Sequence, residues 1–448
     1  MSYPIEEIFR RARLGSASLL NGIALGADAD PMKSFLDDIL LLPPLFTPQR
    51  LEKGIELLRE PLYVDVGTEV EVGGFKLRMP ITCAPPGGRI ADLSGPRIAE
   101  VCAEMGIAYS LGENIAPVRG YDVRLTDQPS FKERALSYLE NLRGEYGGLI
   151  IQQGVKDEDL KLWERIYSDP DFDPYIERGL IAFEIKAEQI YFGDAKDEFM
   201  DDPGSALGGR YPASRTFTEE ILAGQIRLLR NNFPRVRLFL RTGPYRDLDR
   251  VIEIASREGV DAITLDGEGA WISSLAGARV PALVCLSSIS RARERGIETS
   301  MMISGMLYDG PSVLKSIALG ADAVSLGEPV IYACLGGSKL SGLVKKLLGR
   351  NSRGLESLLG VAIKECRRGL MNYLKSIEVE MKVLASALGK YHVNRICKED
   401  VCSLSRELAD LFRIKYIYAP GGFPENWEII QRHLEGLEHS PHADLMHR

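Results

Sequence analysis

The 448-residue sequence predicts an α/β fold, a (β/α)8 TIM barrel with helical extensions at its N- and C-terminal ends. Three observations predict it. Short runs rich in Ile, Val, Leu and Phe alternate with longer amphipathic stretches, the pattern of parallel β with helical crossovers. The runs are almost wholly apolar, as strands buried on both faces must be. No G-x-G-x-x-G follows the first run, which argues against the competing open, doubly wound sheet.

The predicted strands are Met79–Ala84, Ile107–Leu111, Leu149–Gln153, Ile181–Lys186, Val236–Arg241, Ala262–Asp266, Met301–Ser304 and Ala323–Leu326. Helices are expected over Arg97–Met105, Phe131–Leu142, Glu158–Ile166, Glu219–Asn231, Asp247–Glu258, Ile289–Glu294 and Pro311–Ala318. Two have clear stop signals. Glu258-Gly259-Val260-Asp261 and Leu319-Gly320-Ala321-Asp322 place glycine just past the last turn, where a left-handed residue is needed, and an apolar strand follows each. Residues 1–60 read as a helical extension, closed by Leu40–Phe46 with its Pro43-Pro44 break. Residues 61–345 read as the barrel. Residues 346–448 read as a helical appendage with a long amphipathic stretch at Leu370–Leu388 and a Gly/Pro-rich tail at Pro420–Pro424. The heptapeptide Ile-Ala-Leu-Gly-Ala-Asp-Ala occurs at Ile23 and again at Ile317; one short repeat makes no repeat architecture.

Composition narrows the function. Hydrophobic residues make up 45% and charged residues 26%, enough for a sizeable core. A net charge of −8 without a basic stripe argues against a nucleic-acid partner. Arg291, Arg293 and Arg295 read as the exposed face of a helix. No apolar run reaches the roughly 20 residues that span a bilayer, so no membrane partner is expected. Glu6 and Glu7 precede Arg10, Arg11 and Arg13 with no apolar core behind them, unlike a secretory signal. Seven scattered cysteines fit free thiols in a reducing compartment, and cytoplasm is the expected location. Only Cys397 and Cys402 are close together, too few for a metal site, and no metal is expected.

In this fold, chemistry sits at the C-terminal strand ends. Here those ends read Cys83-Ala84-Pro85-Pro86-Gly87-Gly88, Gly112-Glu113-Asn114, Gln152-Gln153-Gly154, Glu184 with Lys186, Arg241-Thr242-Gly243, Asp266-Gly267-Glu268-Gly269, Ser304-Gly305-Met306 and Gly327-Glu328. The last two ends fit a phosphate site built from backbone N–H groups and a helix N-terminus, with the helix near Pro311 as one candidate; ordinary barrel turns are the alternative. Lys186 and Arg241 end apolar strands, where a cation is costly unless paired. They face either a developing negative charge, such as the N1–C2=O edge of a reduced flavin, or structural partners among Glu184, Asp266 and Glu268. Cys83, at the end of the first strand, is either a redox or acid group or a plain buried thiol. All five histidines lie at or after His392. An α-hydroxy-acid oxidase, which needs a histidine base near its flavin, is therefore disfavoured, as is a His-rich zinc site.

Several segments resemble the FMN domain of the glutamate synthase family. From Gly259 the chain reads Gly-Val-Asp-Ala-Ile-Thr-Leu-Asp-Gly-Glu-Gly, similar to that domain's sixth strand. Val280 to Glu328 resembles its closing half, with a Pro-Ala-Leu strand end, a Ser-Arg-Ala-Arg helix, and Ile-Ser-Gly-Met-Leu-Tyr-Asp-Gly. Met79-Pro80-Ile81, Leu111-Gly112-Glu113, Ile151-Gln152-Gln153 and Phe183-Glu184-Ile185-Lys186 fall in family order, and the likeness covers about residues 60–395. The resemblance implies bound FMN. Ala84, Pro85 and Pro86 would lie beside the isoalloxazine, and Gln152 would bond its edge. Arg241 would replace a family lysine near N1. Asp266 and Gly267 would hold the ribityl chain. Ser304, Gly305, Met306, Gly327 and Glu328 would form the phosphate loops. Catalytic roles fall to Lys186 or Arg241 for stabilising the reduced ring and to Glu113 or Glu268 for proton transfer.

The sequence also departs from the family. Gly267-Glu268-Gly269-Ala270-Trp271 replaces its Gly-Gly-Thr-Gly, and Ala187 to Arg210 replaces a shorter loop after the fourth strand. The iron–sulfur cysteine cluster and a preceding glutaminase domain are missing from this sequence. The expected activity is an FMN-dependent oxidoreductase acting on a small anionic, amino- or oxo-acid-like substrate, with CH–NH2 chemistry. Its expected partners are an electron-donor protein or a separate glutaminase subunit, within a homo-oligomer. An FMN-dependent isomerase of isoprenoid-diphosphate type, and a flavin-free barrel serving as a subunit or binding protein, stay open.

Overall fold

A computed structural model describes residues 3–19, 35–44, 61–84, 88–187, 218–267, 280–337 and 365–417. Eight strands form a closed barrel: β1 (Ile81–Cys83), β2 (Ala108–Ser110), β3 (Leu149–Gln152), β4 (Ile181–Ala187), β5 (Arg237–Thr242), β6 (Ala262–Asp266), β7 (Ser300–Ser304) and β8 (Ala323–Leu326). Each pairs in parallel with its neighbours in chain order, and β8 closes on β1 with Leu326 opposite Cys83. All eight predicted strands are present, with ends shifted by a residue or two. The register sets Gln152 opposite Glu184, Lys186 opposite Arg241, Arg241 opposite Thr264, and Asp266 opposite Ser304.

The barrel's N-terminal end is stoppered. An antiparallel hairpin, Val70–Val72 with Phe75–Leu77, turns through Gly73 and Gly74, both at positive φ. Val72, Phe75 and Leu77 join Ala108, Ile150, Ala182, Phe239, Ala262, Met302 and Ala323 in one buried apolar cluster inside the barrel. Phe75 lies 5.3 Å from the Phe239 ring, and a Cβ on Gly73 would stand 2.5 Å from Phe239. Only glycine lets the tip enter that far. This hairpin is not among the elements that the sequence predicts.

The extensions differ from expectation. Residues 1–60 do hold a helix, Ile5–Leu14, but Ile39–Leu41 is a strand, paired antiparallel with Val401–Ser403, which in turn pairs with Lys415–Tyr416. The appendage is thus mixed rather than helical. These strands are two or three residues long, and the pairing partners lie on opposite sides of the barrel in sequence, so no local periodicity marks them. Cys397 and Cys402 sit in this region, on a turn and a strand. The helix expected over Glu158–Ile166 is two, Val155–Asp159 and Leu162–Ser168, broken at Lys161 with φ 52°. Pro281-Ala282-Leu283 does not end a strand; it lies in the helix Val280–Glu294. Of the three helix arginines, Arg293 is not surface decoration: it donates to the carbonyls of Gly320, Ile297 and Thr299 and pairs with Asp322.

The expectation of seven free thiols is also corrected. Cys334, in the helix Glu328–Gly336, forms a disulfide with Cys366, which begins the helix Cys366–Ala387. The cause is close helix packing: a Cβ on Gly337 would be 2.6 Å from the Gly369 Cα. The long helix is also tied to the barrel by charge. Buried Arg11 donates to both oxygens of Glu380 at 2.6 and 3.0 Å, and Glu380 accepts the Gly310 N–H at 2.8 Å. Among the described residues no helix is long and apolar enough to cross a membrane, and no group of three or more His, Cys, Asp or Glu side chains is placed to hold a metal.

Candidate active site

Along most strands the inner face changes character within two residues. Ala108, Ile150, Ala182, Phe239, Ala262, Met302 and Ala323 form the apolar layer. Two positions on, facing the same way because strand side chains alternate, stand Ser110, Gln152, Glu184, Arg241, Thr264, Ser304 and Ser325. All are buried. The stoppered barrel is therefore a cup with an apolar base and a polar floor, open toward its C-terminal mouth.

The floor is ordered by charge. Glu184, 1% exposed, accepts Gln152 Nε2 at 2.5 Å on one oxygen and Thr264 Oγ1 at 3.2 Å on the other. Burial pushes its carboxyl up, opposed by the Arg241 charge, these two hydrogen bonds and the Lys186 charge. Arg241 donates through Nε to Asp266 Oδ2 at 3.1 Å and through a second guanidinium nitrogen to the same oxygen. Lys186 Nζ lies 3.3 Å from Glu113 Oε1. The structural alternative for the two cations is thus realised in part: Arg241 takes Asp266, while Lys186 takes Glu113, a partner not foreseen. Glu113 Oε2 and Ser110 Oγ are buried with no hydrogen-bond partner among the described residues.

Behind this corner is a residue that the sequence reading missed. Asp157, in the first turn of Val155–Asp159, accepts the Gly154 N–H at 2.9 Å and the Asn114 N–H at 2.5 Å with one oxygen. Asn114 has φ 58°, a left-handed residue directly after Glu113. One carboxylate thus joins the loops after β2 and β3. Burial pushes Asp157 up to about 6, the Glu113 charge adds to the shift, and the two N–H donors oppose it. The available signal was an acidic residue three positions after a strand-ending glycine, where a carboxylate can reach back to orphan N–H groups.

The closing loops are also specific. Gly305 has φ 121°, and Met306 has φ 53°. The Met306 N–H donates to the Tyr3 hydroxyl at 3.1 Å, and the Gly267 N–H to the Ser304 carbonyl at 2.9 Å. The helix near Pro311 is corrected as a phosphate candidate. It spans Gly310–Ala318, and its first N–H groups are taken by Asp309, through Ser312 N at 2.9 Å, and by Glu380. Among the described residues the helix Glu328–Gly336 has no side-chain cap, and a Cβ on Gly327 would meet only Ala84, at 3.7 Å. A helix N-terminus offers backbone N–H donors of the kind that an anion needs. Glu328 accepts the Tyr332 hydroxyl at 3.1 Å.

Ala84, Glu113, Gln152, Lys186, Arg241, Asp266, Gly267, Ser304, Gly305, Met306, Gly327 and Glu328 all stand at the C-terminal strand ends or in the loops that follow them. Pro85, Pro86 and Glu268 lie outside the described residues, as do Trp271 and the segment from 188 to 210. Cys83 is buried and its thiol meets the Ala84 carbonyl at 3.5 Å and Cys102. It packs in the outer apolar layer with Cys102, as a plain buried thiol does.

This chain is similar to glutamate synthase-like proteins. It is 26% identical over 197 residues to the glutamate synthase large subunit-like protein of Rhizobium meliloti (strain 1021), covering 38% of this chain and 43% of that one. It is 33% identical over 107 residues to the archaeal-type glutamate synthase (NADPH) of Dehalococcoides mccartyi, covering 22% of this chain and 21% of that one. The matches thus span less than half the length of these curated relatives. No family model matches the chain. Among solved structures, a mandelate oxidase with (S)-2-phenylpropionate superposes with a TM-score of 0.53 at 18% identity, over 88% of this chain and 98% of that one. A flavocytochrome b2 variant with sulfite bound gives 0.52 at 14%, over 82% and 76%. At these identities the likeness is one of fold.

Proposed function

We propose that this chain is an FMN-dependent oxidoreductase acting on a small anionic substrate of the amino- or oxo-acid type. The observation that carries the reading is the polar floor with its split of charge: acceptors at Gln152 and Thr264, cations at Lys186 and Arg241, and an uncapped helix N-terminus at Gly327-Glu328. These features fit a flavin mononucleotide, with a hydrogen-bonding pyrimidine edge at one end and a phosphate at the other. Glu113 Oε2 and Ser110 Oγ, buried without partners among the described residues, fit a site made to receive a further polar group.

When bound, FMN supplies hydride transfer. The protein's own residues do the rest. Gln152 holds the ring edge, and Arg241 and Lys186 offset negative charge there. Asp266 and Gly267 hold the ribityl chain, Ala84 flanks the ring, and the backbone of Ser304, Gly305, Met306, Gly327 and Glu328 takes the phosphate. Glu113, held by Lys186, moves the proton on the substrate side. Glu268 is the second candidate for that role. The substrate's carboxylate would be drawn to the same cations.

Two resemblances pull toward different substrates, since one neighbour by fold is a mandelate oxidase. The absence of any histidine before His392 favours CH–NH2 over hydroxy-acid chemistry. Electrons or ammonia would come from a donor protein or a separate glutaminase subunit. One observation favours a second reading, a flavin-free barrel serving as a subunit: the Tyr3 hydroxyl already engages the Met306 N–H. The isomerase reading calls for a strong cationic pocket, and the two floor cations here are each paired with a carboxylate. The test is a visible absorption spectrum of the purified protein, with heat release of any chromophore. Two flavin bands and released FMN support the main reading. A colourless protein that takes up no added FMN refutes it in favour of the second.

A further inference from the structure

Glu184 has no place in the roles above, yet it is the most deeply enclosed charge on the floor. Its two oxygens are engaged on opposite sides, by Gln152 from β3 and Thr264 from β6. An ionised carboxylate only accepts hydrogen bonds. Gln152 turns its NH2 to Glu184 at 2.5 Å, which leaves its carbonyl oxygen for the cup. Thr264 spends its single hydroxyl proton the same way and keeps only lone pairs to offer. Burial pushes the Glu184 carboxyl up, and the nearby charges of Arg241 and Lys186 oppose that push. One buried carboxylate thus fixes the hydrogen-bonding polarity of that side of the floor.

We infer that Glu184 is a positioning residue that locks the Gln152 amide with its oxygen toward the ligand, and so selects a ring edge that presents an N–H. Resting on the flavin reading, this assigns the FMN N3–H as the group that Gln152 receives. With glutamine at position 184, which both donates and accepts, the Gln152 amide would be free to turn over.

The test uses the full chain reconstituted with 15N-labelled FMN, and reads solvent exchange of the N3–H by proton–nitrogen NMR. In the wild type the N3–H should exchange at least about tenfold more slowly than in free FMN, the equivalent of one net hydrogen bond. Glu184→Gln should remove most of that protection. An equally protected N3–H in Glu184→Gln, or an unprotected one in the wild type that holds FMN, overturns the inference and leaves the flavin reading standing. A wild type that takes up no FMN refutes the flavin reading itself, and this inference with it. Should Glu184→Gln fail to hold FMN, Glu184→Asp replaces it, withdrawing the charge by one methylene. An acceleration of about threefold is then expected, and none overturns the inference.

Discussion

Replacing Asp157 with asparagine should change how stability depends on pH, and the size of the change follows from the structure. Asp157 is held inside the protein with its carboxyl raised from an ordinary 3.8 to about 6. A raised carboxyl means that the folded state holds its proton more tightly than the unfolded chain does. Below about pH 3 both states are protonated and the residue is neutral in its effect. As pH rises toward 6 the unfolded chain releases the proton first, and the folded state loses ground. A shift of about two units corresponds to about 3 kcal/mol, fully developed above pH 6. Asparagine keeps an oxygen for the Asn114 and Gly154 N–H groups and carries no charge, and its NH2 removes the repulsion from Glu113. The assay is a series of urea titrations from about pH 3 to 7 at constant ionic strength. The stability of Asp157→Asn relative to wild type should rise across that range by about 3 kcal/mol. Two parallel pH curves would refute the reasoning, since they would mean that Asp157 titrates alike in both states. A gain in stability on removing a charge, coupled to a loss of substrate turnover, is the behaviour of a residue retained for function.

Other outcomes follow from the packing. Glu380→Ala leaves the Arg11 guanidinium buried without its main partner and takes the cap from Gly310; thermal or denaturant unfolding should show a loss of about 3–5 kcal/mol. Gly73→Ala drives a methyl group into the Phe239 ring at a positive φ, and should cost about 2–4 kcal/mol by the same measurement. Tyr3→Phe removes the hydroxyl from the Met306 N–H and should tighten FMN binding about threefold to tenfold in a calorimetric titration; weaker binding would mean that the hydroxyl helps to hold the phosphate.

Much of the barrel was legible because strands buried on both faces leave continuous apolar runs, and glycine marks the ends of the helices between them. The floor was legible too, in principle: Ile150 to Gln152, Ala182 to Glu184 and Phe239 to Arg241 each step from apolar to polar two residues on, along one face of a strand. Within runs that are otherwise apolar, such steps read as strand ends and not as a layer. What stayed hidden depends on distant partners. The Ile39–Leu41 strand needs Val401–Ser403, and the Cys334–Cys366 bond needs two glycines to bring helices together. The Lys186–Glu113 pair joins strand ends two positions apart around the barrel, a distance that no sequence spacing encodes.

Glu380 ties together three parts of the chain that are far apart in sequence. The Gly310 N–H that it caps is made 70 residues earlier. While the chain is being synthesised, the turn after β7 is complete long before the carboxylate that holds its helix in place. Arg11, made first of the three, waits longest for the same side chain. The turn before the helix Gly310–Ala318 thus takes its last fastening from the long C-terminal helix, which contributes none of the site residues named above.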